Sequence, residues 1–236
     1  HTEITCAAEV FNPRMMSDGR LAWCGGSTVT DRLDLLQLRV SDSRALLHEL
    51  AREAAALGKR WVGFKLMYNH ALVDDRIVDT LLADPTIPIV HLRRRNRLAR
   101  YVSFERALQT DLWGTVPHGP NDPPQPPLQL DAAAIVRDFA TMERSEAWAD
   151  AAFGAHPLVQ LDYDRLAADP GAEVRRIGAA LQVELDAPAG SGKRSRSDLA
   201  GKIANAAALQ AAFRHTRWQE HFDFFTNADN VGSSSA

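Results

Sequence analysis

The residues best suited to chemistry lie between Pro88 and Ser103, in the run Pro-Ile-Val-His-Leu-Arg-Arg-Arg-Asn-Arg-Leu-Ala-Arg-Tyr-Val-Ser. Arg95 and Ser103 are eight positions apart. If the first leaves a strand and the second lies about two turns into a helix, a guanidinium fork and a hydroxyl donor can share one phosphate. The flanking residues predict that arrangement. Ile87 to Leu92 is apolar and reads as a buried strand, while Asn96 suits a helix cap before a helix that runs through Phe104, Ala107 and Leu108 to Trp113. Cations would then sit at the carboxyl end of a strand, above a helix start, where open α/β sheets bind ligands and backbone N–H groups favour anions. An arginine run is also the ordinary composition of a solvated face or a non-specific nucleic-acid patch. The abutting apolar strand and the downstream Ser103 favour the pocket.

Lys65 is the next candidate. It falls inside Trp61-Val62-Gly63-Phe64-Lys65-Leu66-Met67, which reads as a buried strand, and a buried ammonium requires an anion whereas an edge lysine snorkels. His70 follows at the exit of that strand, as an acid/base group or as a turn histidine bonded to backbone. Gly25-Gly26-Ser27-Thr28 lacks a preceding apolar strand and a Walker lysine, so it does not read as a phosphate loop. The two cysteines, Cys6 and Cys24, make neither a metal spacing nor a disulfide framework. No His/Cys/Asp cluster suggests a metal.

These residues need a scaffold, and the chain has length for one. Its 236 residues, 45% hydrophobic and 24% charged, are ordinarily globular. A net charge of -3 excludes a surface built throughout for nucleic acid. No apolar run reaches membrane-spanning length and no signal peptide is visible, which together with reduced thiols suggests a cytoplasmic location; the Ala and Arg content suggests a bacterial source.

In chain order, Glu3 to Val10 reads as a short strand closed by Asn12-Pro13, and Arg14 to Arg39 as an irregular loop. Ser41-Asp42-Ser43 offers caps for a helix to Leu57 with Leu46, Leu47, Leu50 and Ala54 on one face and Gly58 ending it. Val73 to Leu82 is an amphipathic helix. Val116 to Pro127 holds six of the twelve prolines and must be extended or looping. Leu130 to Phe153 is a long helix with Ile135, Phe139, Ala149 and Phe153 as core contacts. Leu158 to Leu161 is a third apolar strand, Tyr163 to Leu166 begins a turn, and Val174 to Leu181 is helical. Ala187 to Ser197 is a mobile basic loop, Leu199 to Phe213 a last helix, and residues 230–236 a disordered tail. The strand–helix alternations indicate an α/β fold, a parallel sheet flanked by helices, with residues 1–229 forming one domain.

Several segments together resemble one family. LRRRNRLARYVSFERALQT resembles the arginine–serine segment that holds the 3′-phosphate of 3′-phosphoadenosine-5′-phosphosulfate in sulfotransferases, particularly the bacterial carbohydrate type. EVFNP at Glu9–Pro13 looks like the family's glutamate segment, GFKLMYNH at Gly63–His70 its second core strand, and YDRLAADPGAEVRRIGAAL at Tyr163–Leu181 its late tyrosine and Asp-Pro segment. The resemblance implies a P-loop-NTPase-like sulfotransferase fold, and sulfuryl transfer from that donor to a hydroxyl of a carbohydrate or glycolipid, without a metal. It implies Glu9 as general base with His70 as second candidate, and Lys65 at the bridging oxygen of the leaving phosphate. Arg95 and Ser103 would hold the 3′-phosphate, with Lys193 and Arg194 closing over the nucleotide. The family's donor loop should precede the glutamate segment, yet only eight residues precede Glu9, so the chain is expected to be N-terminally incomplete. The alternatives are a nucleotide-dependent kinase of similar layout and a non-catalytic module binding phosphorylated ligands or RNA through Arg93–Arg97. Small-molecule or glycan acceptors are the expected partners, with no nucleic acid and no integral membrane segment, and homo-oligomerisation is left open.

Overall fold

The computed structural model of the chain describes residues 3–7, 9–11, 20–22, 29–31, 33–73, 75–111, 125–185 and 199–223. Its elements in order are β1 (Ile4–Cys6), β2 (Arg20–Ala22), β3 (Val29–Asp31), α1 (Leu33–Ser41), α2 (Ser43–Ala56), β4 (Trp61–Gly63), α3 (Tyr68–Val73) and α4 (Asp75–Leu82). They continue with β5 (Ile89–Arg93), α5 (Arg97–Thr110), α6 (Ala132–Ala152), β6 (Leu158–Asp162), α7 (Tyr163–Ala168), α8 (Pro170–Leu181) and α9 (Ala206–Phe213). Two compact units result: His1–His91 with Trp148–Leu161 and Ala168–Ser191, and Leu92–Ala147 with Asp162–Ala167 and Gly192–Ala236.

In the first unit β1 pairs with β4 in parallel, Ile4 opposite Trp61, Thr5 opposite Val62 and Cys6 opposite Gly63. The ladder extends once more, Ala7 N donating to Gly63 O at 2.7 Å. β5 and β6 are hydrogen-bonded neighbours, and β2 pairs with β3 in antiparallel register. Helix α2 begins because the Asp42 carboxylate accepts from Ala45 N, and it ends at Gly58, whose φ of +69° a side chain would strain. Its Leu46 and Leu50, one turn apart, are fully buried with Ile77 and Leu81 of α4, Val10, Phe11 and Phe153. Each such side chain contributes about 1.5–3 kcal/mol by leaving water.

The second unit packs Leu98, Tyr101 and Val102 of α5 and Ile135 and Phe139 of α6 on Ile203, Leu209, Phe213 and Phe222. Phe213 and Phe222 stack with centroids 4.2 Å apart. The Asn205 amide clips both backbone groups of Leu130: Leu130 N donates to Oδ1 at 3.1 Å, and Nδ2 donates to Leu130 O at 2.8 Å. Helix α5 starts where Asn96 was expected to cap it, Ala99 N donating to Asn96 Oδ1 at 2.8 Å. It stops at Thr110 rather than Trp113, because Asp111 turns left-handed at φ 53°.

Small sheets flanked by helices form this α/β fold, and several expected elements differ from those found. The loop expected over Arg14–Arg39 contains β2, β3 and the start of α1. The β-branched Val29-Thr30 suits the strand and the leucines of α1 suit the helix, despite the glycines between Gly19 and Gly26. The strand expected through Met67 ends at Gly63, where β1 no longer supplies a partner. The last helix is broken: a 3-10 turn over Ala200–Lys202 leads to a parallel bridge between Leu128 and Ile203 before α9 begins. Tyr163 opens the short helix α7 where a turn was expected. The start of the glutamate segment is a turn, with β1 confined to Ile4–Cys6.

Leu50 tests the first unit's core. Leu50→Ala is expected to lower unfolding free energy by about 2–5 kcal/mol, read as a reduced urea midpoint. A loss below about 1 kcal/mol would place Leu50 outside a close-packed core.

Candidate functional site

Two clusters hold the described candidate residues, one in each compact unit. In the first unit, the parallel β1–β4 pair brings both carboxyl ends to one end of the ladder. The chain leaving β1 carries Glu9 and the chain leaving β4 carries Lys65. They meet across 56 positions of sequence, Lys65 Nζ donating to Glu9 Oε1 at 2.5 Å. Lys65 is not the buried strand residue expected: 57% of its side chain is exposed, against 25% for Glu9. An ion pair so open to water contributes little stability, about 0.2–1 kcal/mol in typical pairs. Its consequence is orientation of the carboxylate.

His70 lies within α3 rather than at a strand exit, and only 5% of it is exposed. Its Nδ1 is buried without a hydrogen-bond partner among the described residues. Burial pushes its pKa below the ordinary 6.5; the Glu9 carboxylate opposes that and the Lys65 ammonium adds to it. The ring is therefore neutral near pH 7 and able to accept a proton. Structure thus brings Glu9, Lys65 and His70 into one electrostatic neighbourhood.

In the second unit, the chain leaves β5 through Arg94 and Arg95 and enters α5 at Asn96. The two arginines divide their partners in a way that the eight-residue spacing did not anticipate. Arg95 Nε meets Asp162 Oδ2 at 2.7 Å while most of its side chain stays in water. It is Arg94 whose Nη1 donates to Ser103 Oγ, at 3.2 Å. The Ser103 hydroxyl in turn donates to Ala99 O at 2.9 Å, one helical turn back. Arg94 also lies over the Tyr163 ring, 4.5 Å from its centroid, a cation–π contact that holds the guanidinium plane. Sequence reasoning missed Arg94, Asp162 and Tyr163 as participants. Their signal was position: Asp162 and Tyr163 follow an apolar strand, as the arginines do.

More cations line α5. Arg97 donates to Glu146 Oε2 at 2.9 Å and Arg100 to Asp138, both carboxylates on α6. Burial, with the charges of Arg97 and Arg94 nearby, lowers the Arg100 pKa to about 10, and Glu146 opposes the shift. Lys193 and Arg194 lie outside the described residues, as does the basic loop expected around them. No group of three or more His, Cys, Asp or Glu among the described residues is placed to hold a metal ion. No helix among them is long and apolar enough to cross a membrane.

The described candidates thus form an arginine cluster at a strand exit in one unit and a carboxylate–lysine–histidine group in the other. The model of the Stf0 sulphotransferase family matches residues 35–209, and this chain belongs to that family. It is a sulfotransferase, so the kinase and the non-catalytic binding module give way. The matched span contains Lys65, His70, Arg94, Arg95 and Ser103, and begins after Glu9. A search of curated proteins finds no match to the chain, and a search of solved structures finds none either.

The buried imidazole has a stability consequence with a definite sign. The folded pKa of His70 lies below the unfolded 6.5. Its contribution is therefore complete above 6.5 and lost as pH falls below 6.5 through the folded value. Unfolding free energy from urea melts is expected to fall between about pH 7 and pH 5.5, with a shallower fall in His70→Gln. His221 of the second unit, whose pKa burial also lowers, retains its share in that variant. Identical slopes in the two proteins would contradict a buried neutral His70.

Proposed function

We propose that this sulfotransferase moves a sulfuryl group from 3′-phosphoadenosine-5′-phosphosulfate to a hydroxyl of a carbohydrate or glycolipid, on a P-loop-NTPase-like scaffold. The observation that carries the reading is the Arg94–Ser103–Tyr163 cluster at the exit of β5 and the head of α5, within the span matched to the family. Residues 1–229 are read as one sulfotransferase-like domain, of which the family match covers residues 35–209.

In this reading the acceptor oxygen attacks sulfur in line with the bridging oxygen. The new S–O bond forms as the bridging S–O bond breaks, and that electron pair leaves on the 5′-phosphate. Like phosphoryl transfer, the reaction depends on positioning and charge stabilisation. The acceptor proton goes to Glu9 or to His70. Glu9 is supported by the orientation that Lys65 gives it, and His70 by its neutral ring and orphan Nδ1. Lys65, already at the edge of this group, supplies positive charge to the departing phosphate. The 3′-phosphate falls to Arg95 and Ser103, with Arg94 as an added ligand, and Lys193 and Arg194 supply further cations. Ser103 would turn its hydroxyl from Ala99 O toward the phosphate.

Calorimetric titration with adenosine 3′,5′-bisphosphate tests the donor site, with adenosine 5′-monophosphate and ADP as controls. Selective binding of the bisphosphate is expected. Arg94→Gln and Arg95→Gln should each weaken it roughly ten- to hundredfold, the worth of a charged hydrogen bond, and leave 5′-monophosphate binding nearly unchanged. Equal affinity for all three nucleotides would sink the donor assignment. Turnover separates the bases: the variant of the true base, Glu9→Gln or His70→Gln, should lose about 10²–10⁴-fold in kcat.

A further inference from the structure

A second hydrogen-bonded chain lies in the first unit, among side chains that the proposed reaction does not use. Tyr68 opens α3, His91 is the middle residue of β5, and Asp150 is near the end of α6. Tyr68 Oη lies 2.5 Å from His91 Nε2, and the two rings meet edge to face with centroids 5.9 Å apart. On the other side of the imidazole, His91 Nδ1 is 3.4 Å from Asp150 Oδ1, within ion-pair reach. His91 is 8% exposed, while 40% of the Asp150 side chain faces water. An aspartate beside Nδ1 favours the proton there, which leaves the Nε2 lone pair to accept from the Tyr68 hydroxyl.

What this chain holds follows from the backbone around it. Regular structure ends at Gly63, the next four residues have none, and α3 has six residues. So short a helix has little stability of its own. Yet the stretch from Lys65 to His70 carries two of the three proposed reacting groups. Side chains must fix it, and they alternate: Phe64, Leu66 and Tyr68 pack on the core, while Lys65, Met67 and Asn69 are exposed. Phe64 meets Phe11 at 5.1 Å between centroids, and Lys65 meets Glu9. The third anchor is Tyr68, tied to a buried strand residue that is tied in turn to α6.

We propose that Asp150, His91 and Tyr68 form a positioning triad that fixes α3 and thereby the placement of His70. The inference rests on the reading of His70 as a reacting group. Tyr68 and His91 are positioning residues, since they act through His70. Because Tyr68 precedes His70 by two residues in the same short helix, releasing its hydroxyl frees the first turn of α3 and admits water to the imidazole. Burial is the main influence on the His70 titration, with Glu9 opposing the shift and Lys65 adding to it, so water admitted to the imidazole is read directly in its midpoint.

Two readouts on the full chain test this. Side-chain NMR follows the titration of His70, assigned by the signal missing in His70→Gln. Turnover of 3′-phosphoadenosine-5′-phosphosulfate with water as acceptor gives kcat and KM for the donor. In Tyr68→Phe and His91→Phe, the His70 midpoint is expected to rise toward that of a solvated imidazole. kcat should fall about tenfold or more, with KM for the donor within about twofold, as a misplaced group requires. His91→Gln, whose amide oxygen can still accept from Tyr68, should restore most of both. An unchanged His70 midpoint in Tyr68→Phe would overturn the proposal even if the melting temperature fell, because the triad would then be packing alone. Donor turnover bears on the proposed function, whereas the His70 titration decides the triad whether or not donor is turned over.

Discussion

The parallel pairing of β1 with β4 is the constraint on which the first unit depends. Parallel strands send both carboxyl ends the same way, so the segments after Cys6 and Gly63 leave the ladder side by side. That is why a glutamate and a lysine 56 positions apart can share a hydrogen bond. An antiparallel pair would have put them at opposite ends. The core follows the same geometry: Val10 and Phe11, just past Glu9, turn inward onto α2 and α4, and Phe64, beside Lys65, meets Phe11. At each exit a charged residue adjoins buried or half-buried apolar ones, Glu9 beside Val10 and Lys65 between Phe64 and Leu66, so packing of the neighbours presents the charge.

The second unit solves a different problem. A helix whose first turns carry Arg97 and Arg100, just after Arg93, Arg94 and Arg95, concentrates positive charge at the end where the helix dipole already disfavours it. Carboxylates from elsewhere relieve the repulsion. Glu146 and Asp138 on α6 take Arg97 and Arg100, and Asp162 at the end of β6 takes Arg95. Arg94 meets the Ser103 hydroxyl and the Tyr163 ring, and those two contacts fix the plane of its guanidinium. β6 is itself held from behind, where Arg176, forked on the buried Glu173, donates to Gln160 O at 2.5 Å.

Local signals made the caps and long helices legible. Asn96, Asp42 and Gly58 act through contacts within a few residues, and the leucine pattern of α2 and the apolar pattern of α6 are strong in isolation. Strand ends were less legible, because a strand lasts only as long as its neighbour supplies hydrogen bonds. Phe64 to Met67 has strand composition and no ladder. The site divided along the same line. Cations at the head of α5 followed from adjacent residues, and the family resemblance brought Glu9, Lys65 and His70 forward. Which arginine meets Ser103 depends on side-chain direction at the strand exit, and on Asp162 and Tyr163, which lie far away in sequence. Likewise the His91 partners come from α3 and α6, and no spacing rule links positions 68, 91 and 150.

Three described histidines of the first unit are buried, and their partners differ. His156 places Nδ1 2.9 Å from Ile87 O, tying the start of β5 to the chain before β6. His91 joins Tyr68 and Asp150. His70 alone among them has a ring nitrogen buried without a hydrogen-bond partner among the described residues. Leaving such a group unsatisfied costs about 1–3 kcal/mol, a penalty that a purely structural residue could avoid by being apolar. The penalty is intelligible if the missing partner is a hydroxyl that arrives with the acceptor. Binding would then satisfy the ring nitrogen, and the lone pair that burial keeps unprotonated would be the one facing the proton to be moved.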